Sequence, residues 1–159
     1  MIDDIDLKIL SIIQREARTI HTEIARQADI SPFDAAARIR RLEQQGIICG
    51  YEARLDPQAL GLGITAFVFV DIDYRLEGEN TAALLAQIPE VQEVHKVAGE
   101  DCYLVKLRAA DTERLGQLLR EEFDTIEGIS STRTTIVLKA VKETSRLPLK
   151  ELTAQTAGV

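Results

Sequence analysis

Arg38, Arg40 and Arg41 place three guanidinium groups within four positions of the chain. A guanidinium can hold a phosphate, or the major-groove edge of guanine, through two parallel hydrogen bonds. The spacing of these arginines therefore predicts that the stretch binds an anion. The alternative is a charged helix face that water alone solvates, and the three residues by themselves leave both interpretations open.

The arginines fall in a segment that is typical of one short helix with both ends marked. Ser31 suits the N-cap, Pro32 the first helical position and Asp34 the reciprocal half of a capping box. Gly46 suits the left-handed residue that ends a helix. Helical periodicity separates an apolar from a polar face: Ala35, Ile39 and Leu42 share the first, and Asp34, Arg38, Arg41 and Gln45 share the second.

A second short helix is predicted just upstream, over residues 19–28. Only Asp29 and Ile30 separate it from Ser31, and Asp29 tolerates the left-handed conformation of a tight turn. Two short helices joined in this way, the second carrying arginine, are typical of a helix-turn-helix. An earlier helix from Asp3 or Asp4 to about residue 16 would complete a three-helix unit, and residues 47–51 would add a short strand as a small wing.

The helix-turn-helix predicts which side chains meet double-stranded DNA. Residues 31–34, Arg38 and Arg41 would enter the major groove, while Arg18, Thr22 and Arg40 would contact phosphates. His21 is either a phosphate contact or an ordinary surface residue. The full set of candidate DNA-binding residues is Arg18, Thr19, His21, Thr22, Ser31, Pro32, Phe33, Asp34, Arg38, Arg40 and Arg41.

The formal net charge of −7 is unevenly distributed. Residues 1–50 carry 7 Lys+Arg and 8 Asp+Glu, a net charge of −1, whereas residues 51–159 carry 12 and 18, a net charge of −6. A local basic face can therefore dock on DNA, and association of copies would offset the weak affinity of a monomer.

The amino-acid composition also limits the cellular compartments in which the protein is expected. No stretch approaches the ~20 apolar residues that cross a bilayer, and the acidic start does not resemble a signal peptide. Cys49 and Cys102 are too few for a disulfide framework. We therefore expect a cytoplasmic protein without a membrane partner.

The chain divides into four predicted segments: a helix-turn-helix domain over 1–50, a linker over 51–63, a second domain over 64–146 and a mobile tail over 147–159. Strands are predicted over 64–74, 91–98, 102–108 and 131–141, with helices over 79–88 and from Asp111 onward. Strand, helix, strand, strand, helix, strand is the ferredoxin-like βαββαβ plan, so the fold class is α+β. The predicted core positions on the two helices are Leu84, Leu85, Ile88, Leu115, Leu118, Leu119 and Phe123.

One face of that sheet would remain uncovered by the two helices. Phe67 and Phe69 would lie on it and expose an apolar patch. Burial against a second copy of the chain is the physical solution, and it predicts a homo-oligomer.

A second candidate site lies around Gly99. A glycine turn exposes backbone N–H groups suited to a carboxylate, and the neighbouring Glu100 and Asp101 suit an ammonium group, so the pair fits a free amino acid. The alternative is an ordinary hairpin turn with solvated acids.

An ordered set of segments resembles the DNA-binding domain of the Lrp/AsnC regulators, the feast/famine transcription factors of bacteria and archaea. These segments are Ile2–Leu10 (IDDIDLKIL), Gln14, Arg18, Glu23–Ala25 (EIA), Ile30–Pro32 (ISP) and Arg38–Ile48 (RIRRLEQQGII). The second half is similar to the family's C-terminal effector domain, and the resemblance extends to about Arg146. It implies a DNA-binding transcriptional regulator, without a cofactor, whose dimers often assemble as octamers and are modulated by an amino acid bound between dimers.

The resemblance also implies an effector site in the loop after Gly99 and on polar residues of the last strand. Its candidate residues are Ala98, Gly99, Glu100, Asp101, Tyr103, Thr132, Thr134 and Thr135. The family often has an acid immediately before the tyrosine, whereas this chain has Cys102 there and Asp101 one position earlier. In a strand, one step moves a side chain to the opposite face.

The alternatives to the regulator are two other functions and a metal site. Some haem-pathway decarboxylases resemble this family in fold, but that chemistry calls for a sequestered acid–base group, and His21 and His95 are the two histidines. The cysteines and histidines lack the spacing of a metal site, so no metal is expected. A ligand sensor that has lost DNA binding is the third, and the arginine cluster argues against it.

Overall fold

Three short helices form the first part of the computed structural model, which describes residues 2–73, 75, 81–99 and 101–149. Helix α1 is Asp4–Ile13, α2 is His21–Ala28 and α3 is Pro32–Gln44. Helix α1 begins with a capping box, in which the Asp6 N–H donates to Asp3 and the Asp3 N–H donates to Asp6. Helix α1 therefore has an acidic N-cap, Asp3, and two acidic residues in its first turn, Asp4 and Asp6.

Two of these helices are shorter than the sequence predicted. Helix α1 ends three residues before Glu16, because the N–H groups of Arg15 and Glu16 both donate to the Ile12 carbonyl and turn the chain. Helix α2 begins at His21 rather than Thr19, because the Thr19 hydroxyl donates to the Glu16 carbonyl at 2.7 Å and belongs to that turn. A turn over residues 14–20 therefore separates α1 from α2.

The turn from α2 to α3 forms as predicted. Asp29 adopts the left-handed conformation, with φ of 59°, and Gly46 does so after α3, with φ of 68°. The Ser31 hydroxyl accepts a hydrogen bond from the Asp34 N–H at 3.0 Å. The predicted reciprocal half of the capping box is wrong, because the Asp34 carboxylate contacts Arg38 Nε at 3.4 Å instead.

Residues 47–51 form no strand, so the predicted wing is wrong at this position. The N–H groups of Ile47 and Ile48 donate back to the Leu42 carbonyl, at 2.9 and 3.2 Å, and hold the chain against the end of α3. A strand requires a partner for its backbone groups, and here those groups already cap a helix.

The second part of the chain contains the predicted four-stranded antiparallel sheet. Its elements are β1 (Ile64–Ile72), α4 (Thr81–Gln87), β2 (Val91–Lys96), β3 (Tyr103–Ala109), α5 (Thr112–Leu118) and β4 (Ile129–Ile136). The strand order is β2-β3-β1-β4, the order of a ferredoxin-like βαββαβ fold. Strand β4 ends at Ile136, before the predicted residue 141. Only Ile64 and Thr65 of β1 lie beyond the last pair, Ala66 with Ile136, and the Val137 N–H still donates to the Thr65 carbonyl at 2.9 Å, so pairing cannot continue to residue 141. The predicted ends at Tyr74 and Glu79 lie outside the described residues.

Alternation along the strands sets the core on the helix side of the sheet. Val68, Val70 and Val105 are fully buried, and Leu85 and Leu118 reach them from the helices. Leu84 is 39% exposed, so its predicted core position is wrong. A π-helical turn over Leu119–Phe123 follows α5, and it ends with Phe123 fully buried.

The chain groups into two compact units that divide within the predicted linker. One comprises the residues up to Arg54 together with the segment from Lys142, and the other is Leu55–Val141. Isoleucine, alanine and leucine side chains of the three helices form the core of the first unit, with Ile9, Ala35 and Leu42 fully buried.

The start of the predicted mobile tail is bound within the first unit. The Gln14 amide donates to the Leu147 carbonyl at 3.0 Å and accepts from the Leu147 N–H at 3.1 Å. The predicted mobile tail therefore begins with a residue, Leu147, whose backbone N–H and C=O groups are both paired. Residues 150–159 lie outside the described part of the chain.

Candidate nucleic-acid interface and effector loop

Helix α3, which occupies the place of the recognition helix in a helix-turn-helix, is bound to α1 through two of its arginines. Arg38 Nη1 contacts Asp3 at 2.7 Å and Asp6 at 2.9 Å, and Arg41 Nη2 contacts Asp6 at 2.5 Å. The Asp6 carboxylate is fully buried, whereas Arg38 is 19% and Arg41 42% exposed. The anions that these two arginines meet here are therefore carboxylates of the same chain, and the geometry does not support Arg38 as a free base-reading group.

Charge and hydrogen bonding reinforce this cluster of four residues. The hydrogen bond from Arg38 is the main reason that the pKa of Asp3 is lowered below its ordinary value. Hydrogen bonds to Asp3 and then Asp6 raise the pKa of Arg38. The two arginines and two aspartates form a compact network, and Asp34 adds a third carboxylate 3.4 Å from Arg38 Nε, so Arg38 and Arg41 offer DNA little uncompensated charge.

The exposed face of α3 carries different residues. The Phe33 side chain is 85% exposed, and Ala37 and Arg40 are exposed on the same side of the helix. Arg40 makes no ion pair or side-chain hydrogen bond with any residue that the structure describes. Phe33 and Arg40 are therefore the side chains of α3 best placed to meet a groove.

The start of α2 presents the second group of predicted contacts. Arg18, His21 and Thr22 are exposed, and Thr19 is half-buried. Glu23 lies in the first turn of α2, and hydrogen bonds from Arg26 and Gln27 lower its pKa to about 2. Arg18, His21 and Thr22 thus remain at the surface, as phosphate contacts require, while Glu23 and Arg26 neutralise each other.

A small cavity behind these residues was not predicted. It has a volume of about 230 Å³ and is lined by residues that include Thr19, His21, Glu43 and Tyr51. The Tyr51 hydroxyl donates to Glu43 at 2.8 Å, and burial followed by this bond raises the pKa of Tyr51 to about 12. This bond holds the chain after α3 against the helix.

The turn that follows Gly99, the candidate effector loop, is tied to the last strand by an ion pair. Arg133 Nη2 contacts the Asp101 carboxylate at 2.8 Å, and the Arg133 guanidinium lies 4.1 Å from the centre of the Phe69 ring. Phe69 and Arg133 are directly paired in the register of β1 and β4. Arg133 was missed in the sequence, where the neighbouring threonines were chosen instead.

The other predicted effector residues do not all meet. Thr135 pairs with Phe67 on the outward face of the sheet, whereas Thr132 and Thr134 pair with Val70 and Val68 on the helix side. The prediction that the three threonines share one site is therefore contradicted by strand alternation.

The residues of the turn itself differ in exposure. Ala98 and Gly99 are exposed, with Gly99 at φ of 156°, while Glu100 lies outside the described residues. Tyr103 is only 5% exposed and belongs to the core, so its geometry does not support direct effector contact. Cys102 is buried, which leaves Asp101 as the described acid at this turn.

Two family models match consecutive parts of the chain. Residues 2–48 match a winged helix-turn-helix DNA-binding domain, and residues 65–147 match the Lrp/AsnC ligand-binding domain. The chain belongs to the Lrp/AsnC family of transcriptional regulators. The predicted family, the α+β fold class and the predicted function as a regulator of this type are confirmed by these matches.

Curated relatives cover this Lrp/AsnC regulator almost end to end. It is 35% identical to the HTH-type transcriptional regulator FL11 of Pyrococcus furiosus, over 94% of this chain and 98% of that protein. It is also 35% identical to the leucine-responsive regulatory protein of Escherichia coli, over 94% of this chain and 92% of that protein.

Solved structures agree with this assignment. A transcriptional regulator of Neisseria meningitidis in complex with L-methionine matches this Lrp/AsnC regulator with a TM-score of 0.90 and 30% identity, over 96% of this chain and 99% of that one. A feast or famine regulatory protein of Mycobacterium tuberculosis complexed with L-methionine has a TM-score of 0.85 and 32% identity, over 91% and 97%.

The described residues contain neither a membrane-spanning helix nor a cluster of metal-ligating side chains. None of their helices is both long enough and apolar enough to cross a membrane. They also contain no group of three or more histidine, cysteine or acidic side chains arranged to hold a metal ion.

Proposed function

We propose that this Lrp/AsnC regulator contacts duplex DNA through the exposed face of α3 and the start of α2, and that a free amino acid tunes its assembly. The reading groups on α3 are Phe33 and Arg40, and the positioning groups are Arg38 and Arg41. Arg18, His21 and Thr22 lie where the first helix of such a pair approaches phosphates. In this proposal the protein acts in the cytoplasm as a regulator rather than an enzyme, and takes no resident cofactor.

One observation carries the DNA contact: the arginines of α3 divide into two bound to carboxylates and one with no ion-pair partner among the described residues. Arg38 and Arg41 face Asp3 and Asp6, while Arg40 faces solvent. Such a guanidinium can bind a phosphate of the DNA backbone or a base edge in the major groove, and the exposed apolar side chains beside it can contact the bases. Arg38 and Arg41 fix the orientation of α3, and α3 carries Arg40.

Binding to the DNA upstream of the protein's own gene tests this proposal. Fluorescence anisotropy of the full chain is measured over about 50 to 200 mM salt, and we expect affinity to fall steeply as salt rises. Arg40→Ala should weaken binding and make the salt dependence shallower by about one counterion. Lys139→Ala, which removes an exposed cation from the second unit, is the matched control. Equal affinity of the parent and Arg40→Ala would overturn the assignment of Arg40.

The effector proposal rests on the loop at Asp101. The charged groups of a free amino acid are an ammonium and a carboxylate, and the Asp101–Arg133 pair offers one partner for each. The exposed backbone at Gly99 adds N–H groups that suit the carboxylate. Two related structures hold L-methionine, which makes it the first ligand to test.

Thermal unfolding with and without L-methionine tests the effector site. A ligand that binds only the folded chain raises its melting temperature with concentration. We expect this shift in the parent and its loss in Arg133→Met, with Arg120→Met as a control that removes an exposed arginine elsewhere in the same unit. If none of the common amino acids shifts the melting temperature of the parent, the effector proposal falls.

Assembly follows from the outward face of the sheet. Phe67 and Phe69 are only partly buried there, and Leu104 lies beside Phe69 in the register of β1 and β3. A face with this apolar content is expected to be covered by a second copy, which gives dimers that can assemble further, to octamers. Light scattering during the L-methionine titration measures whether the assembly changes with ligand.

A further inference from the structure

We infer that the recognition helix reads the methyl groups of thymine, with Phe33 as a specificity-determining residue. This inference rests on the proposed DNA contact and names the base feature that the contact recognises. It assigns to Phe33 a role that the positively charged residues of the same helix cannot fulfil, since their partners are phosphates and the acceptors of guanine.

The position of Phe33 supports direct base contact. It is the second residue of α3, and the N-terminal residues of a recognition helix are those that meet base edges. Its side chain is 85% exposed, so the core of the three helices does not use it. A single exposed apolar residue is common on protein surfaces, and the inference therefore depends on what surrounds Phe33.

The surroundings of Phe33 are apolar side chains of the same helix. Ala36 and Ala37 lie one turn further along, half-buried and exposed respectively, and Arg40 follows on the same face. The polar side chains Asp34, Arg38 and Arg41 are engaged with one another or with α1. Methyl groups, an aromatic ring and one guanidinium are therefore what this face offers to a base edge.

The major groove contains one apolar feature, the C5-methyl group of thymine. Phenylalanine and alanine side chains are among those that contact it, whereas the other base edges require hydrogen-bond donors or acceptors. The face around Phe33 thus matches a site with thymine at the bases nearest the start of α3. The exposed cations Arg18 and Arg40 of the same unit favour a duplex over an apolar protein surface as the occupant, because phosphates flank every groove.

Replacing thymine by uracil removes that methyl group and leaves base pairing unchanged. The DNA upstream of the protein's own gene is amplified with dUTP in place of dTTP, and the affinities of the full chain for the two duplexes are compared. We expect the parent to bind the methyl-free duplex more weakly, by roughly fourfold for each methyl group that is contacted. Phe33→Ala should bind the thymine duplex more weakly and lose most of the difference between the two.

Three variants make the comparison specific. Phe33→Leu keeps an apolar contact and should retain part of the preference for the thymine duplex. Arg40→Ala should weaken binding to both duplexes by the same factor and leave their ratio unchanged. Leu138→Ala, which shortens a side chain that is 99% exposed in the other unit, should behave as the parent.

The outcomes separate this inference from the proposed function. A parent chain that binds both duplexes equally well overturns thymine readout and leaves DNA binding intact. An undiminished ratio in Phe33→Ala overturns the assignment to Phe33. A parent chain that binds neither duplex overturns the proposed DNA contact itself.

Discussion

The guanidinium of Arg38 lies 2.9 Å from the carboxylate of Asp6, a side chain with no exposed surface. The recognition helix is therefore joined to the first helix through a buried ion pair, and not through apolar packing alone. Arg41 and Asp3 extend the pair into a network of four residues. Such a network fixes the orientation of α3, which decides where Phe33 and Arg40 point.

Removal of the Asp6 carboxylate should destabilise the helical unit. Asp6→Ala leaves Arg38 and Arg41 without their buried partner, and we expect a loss of about 3 kcal/mol in the free energy of unfolding. This value lies at the lower end of the range for breaking a buried ion pair, because both arginines keep partial contact with water. Urea unfolding of the full chain, followed by circular dichroism, measures the loss.

Asp4→Ala is the control for that experiment, since Asp4 lies in the first turn of the same helix and is exposed. It should cost less than about 1 kcal/mol, the interaction of one acid with the helix dipole. Equal losses in the two variants would show that the network contributes no more than the interaction of one acid with the helix dipole.

The Asp3 end of the network should make stability depend on pH in the acid range. The pKa of Asp3 is lowered in the folded chain, chiefly by the hydrogen bond from Arg38. A lowered pKa means that the unfolded chain binds the proton more tightly. The contribution of Asp3 is therefore fully present above its unfolded value of 3.8 and is lost as the pH falls through the folded pKa.

The difference in unfolding free energy between the parent and Asp3→Asn isolates this effect. We expect it to be constant from about pH 7 to pH 5 and to shrink between about pH 4 and pH 3. Urea midpoints at these pH values provide the measurement. A difference that grows as the pH falls would have the wrong sign for a carboxylate held ionised by Arg38.

Arg38 and Arg40 should respond differently to salt in DNA binding. Arg38 is neutralised by Asp3 and Asp6 within the chain, so it releases few counterions from DNA, whereas Arg40 is solvated. Arg38→Met should therefore weaken binding by disturbing α3 while leaving the slope of log affinity against log salt close to that of the parent. Anisotropy titrations of both variants measure the slopes, and a slope reduced by about one in Arg38→Met would mean that Arg38 contacts a phosphate after all.

Structural features that depend only on residues close together in the chain could be predicted from the sequence. Ser31, Asp29 and Gly46 each act within one turn of the chain, so the caps and the turn of the helix-turn-helix were predictable. The partner of Arg38 was not, because Asp6 lies 32 residues away and only packing decides whether a guanidinium turns toward solvent or α1. The same clustering of arginine fits either outcome.

The candidate effector loop and strand β4 show the same limit of sequence-based prediction in a sheet. Alternation alone separates Thr135 from Thr132 and Thr134, and this could have been predicted from a strand. The contact of Arg133 with Phe69 and Asp101 depends on the register between strands that are distant in sequence. The end of β4 likewise depends on where β1 begins, which the composition of β4 does not reveal.

The paired hydrogen bonds between Gln14 and Leu147 should protect the C-terminal segment from proteolysis. Gln14→Leu removes both bonds, and the two exposed bonds together contribute on the order of 1 kcal/mol, so local opening should become roughly fivefold more frequent. Limited digestion with trypsin, which cleaves after Arg146 next to the paired residue, measures this frequency as the rate of loss of the tail. Gln44→Leu replaces an exposed glutamine of α3 in the same unit and should digest like the parent. Identical cleavage rates in the parent and Gln14→Leu would mean that the segment opens regardless of the Gln14 amide.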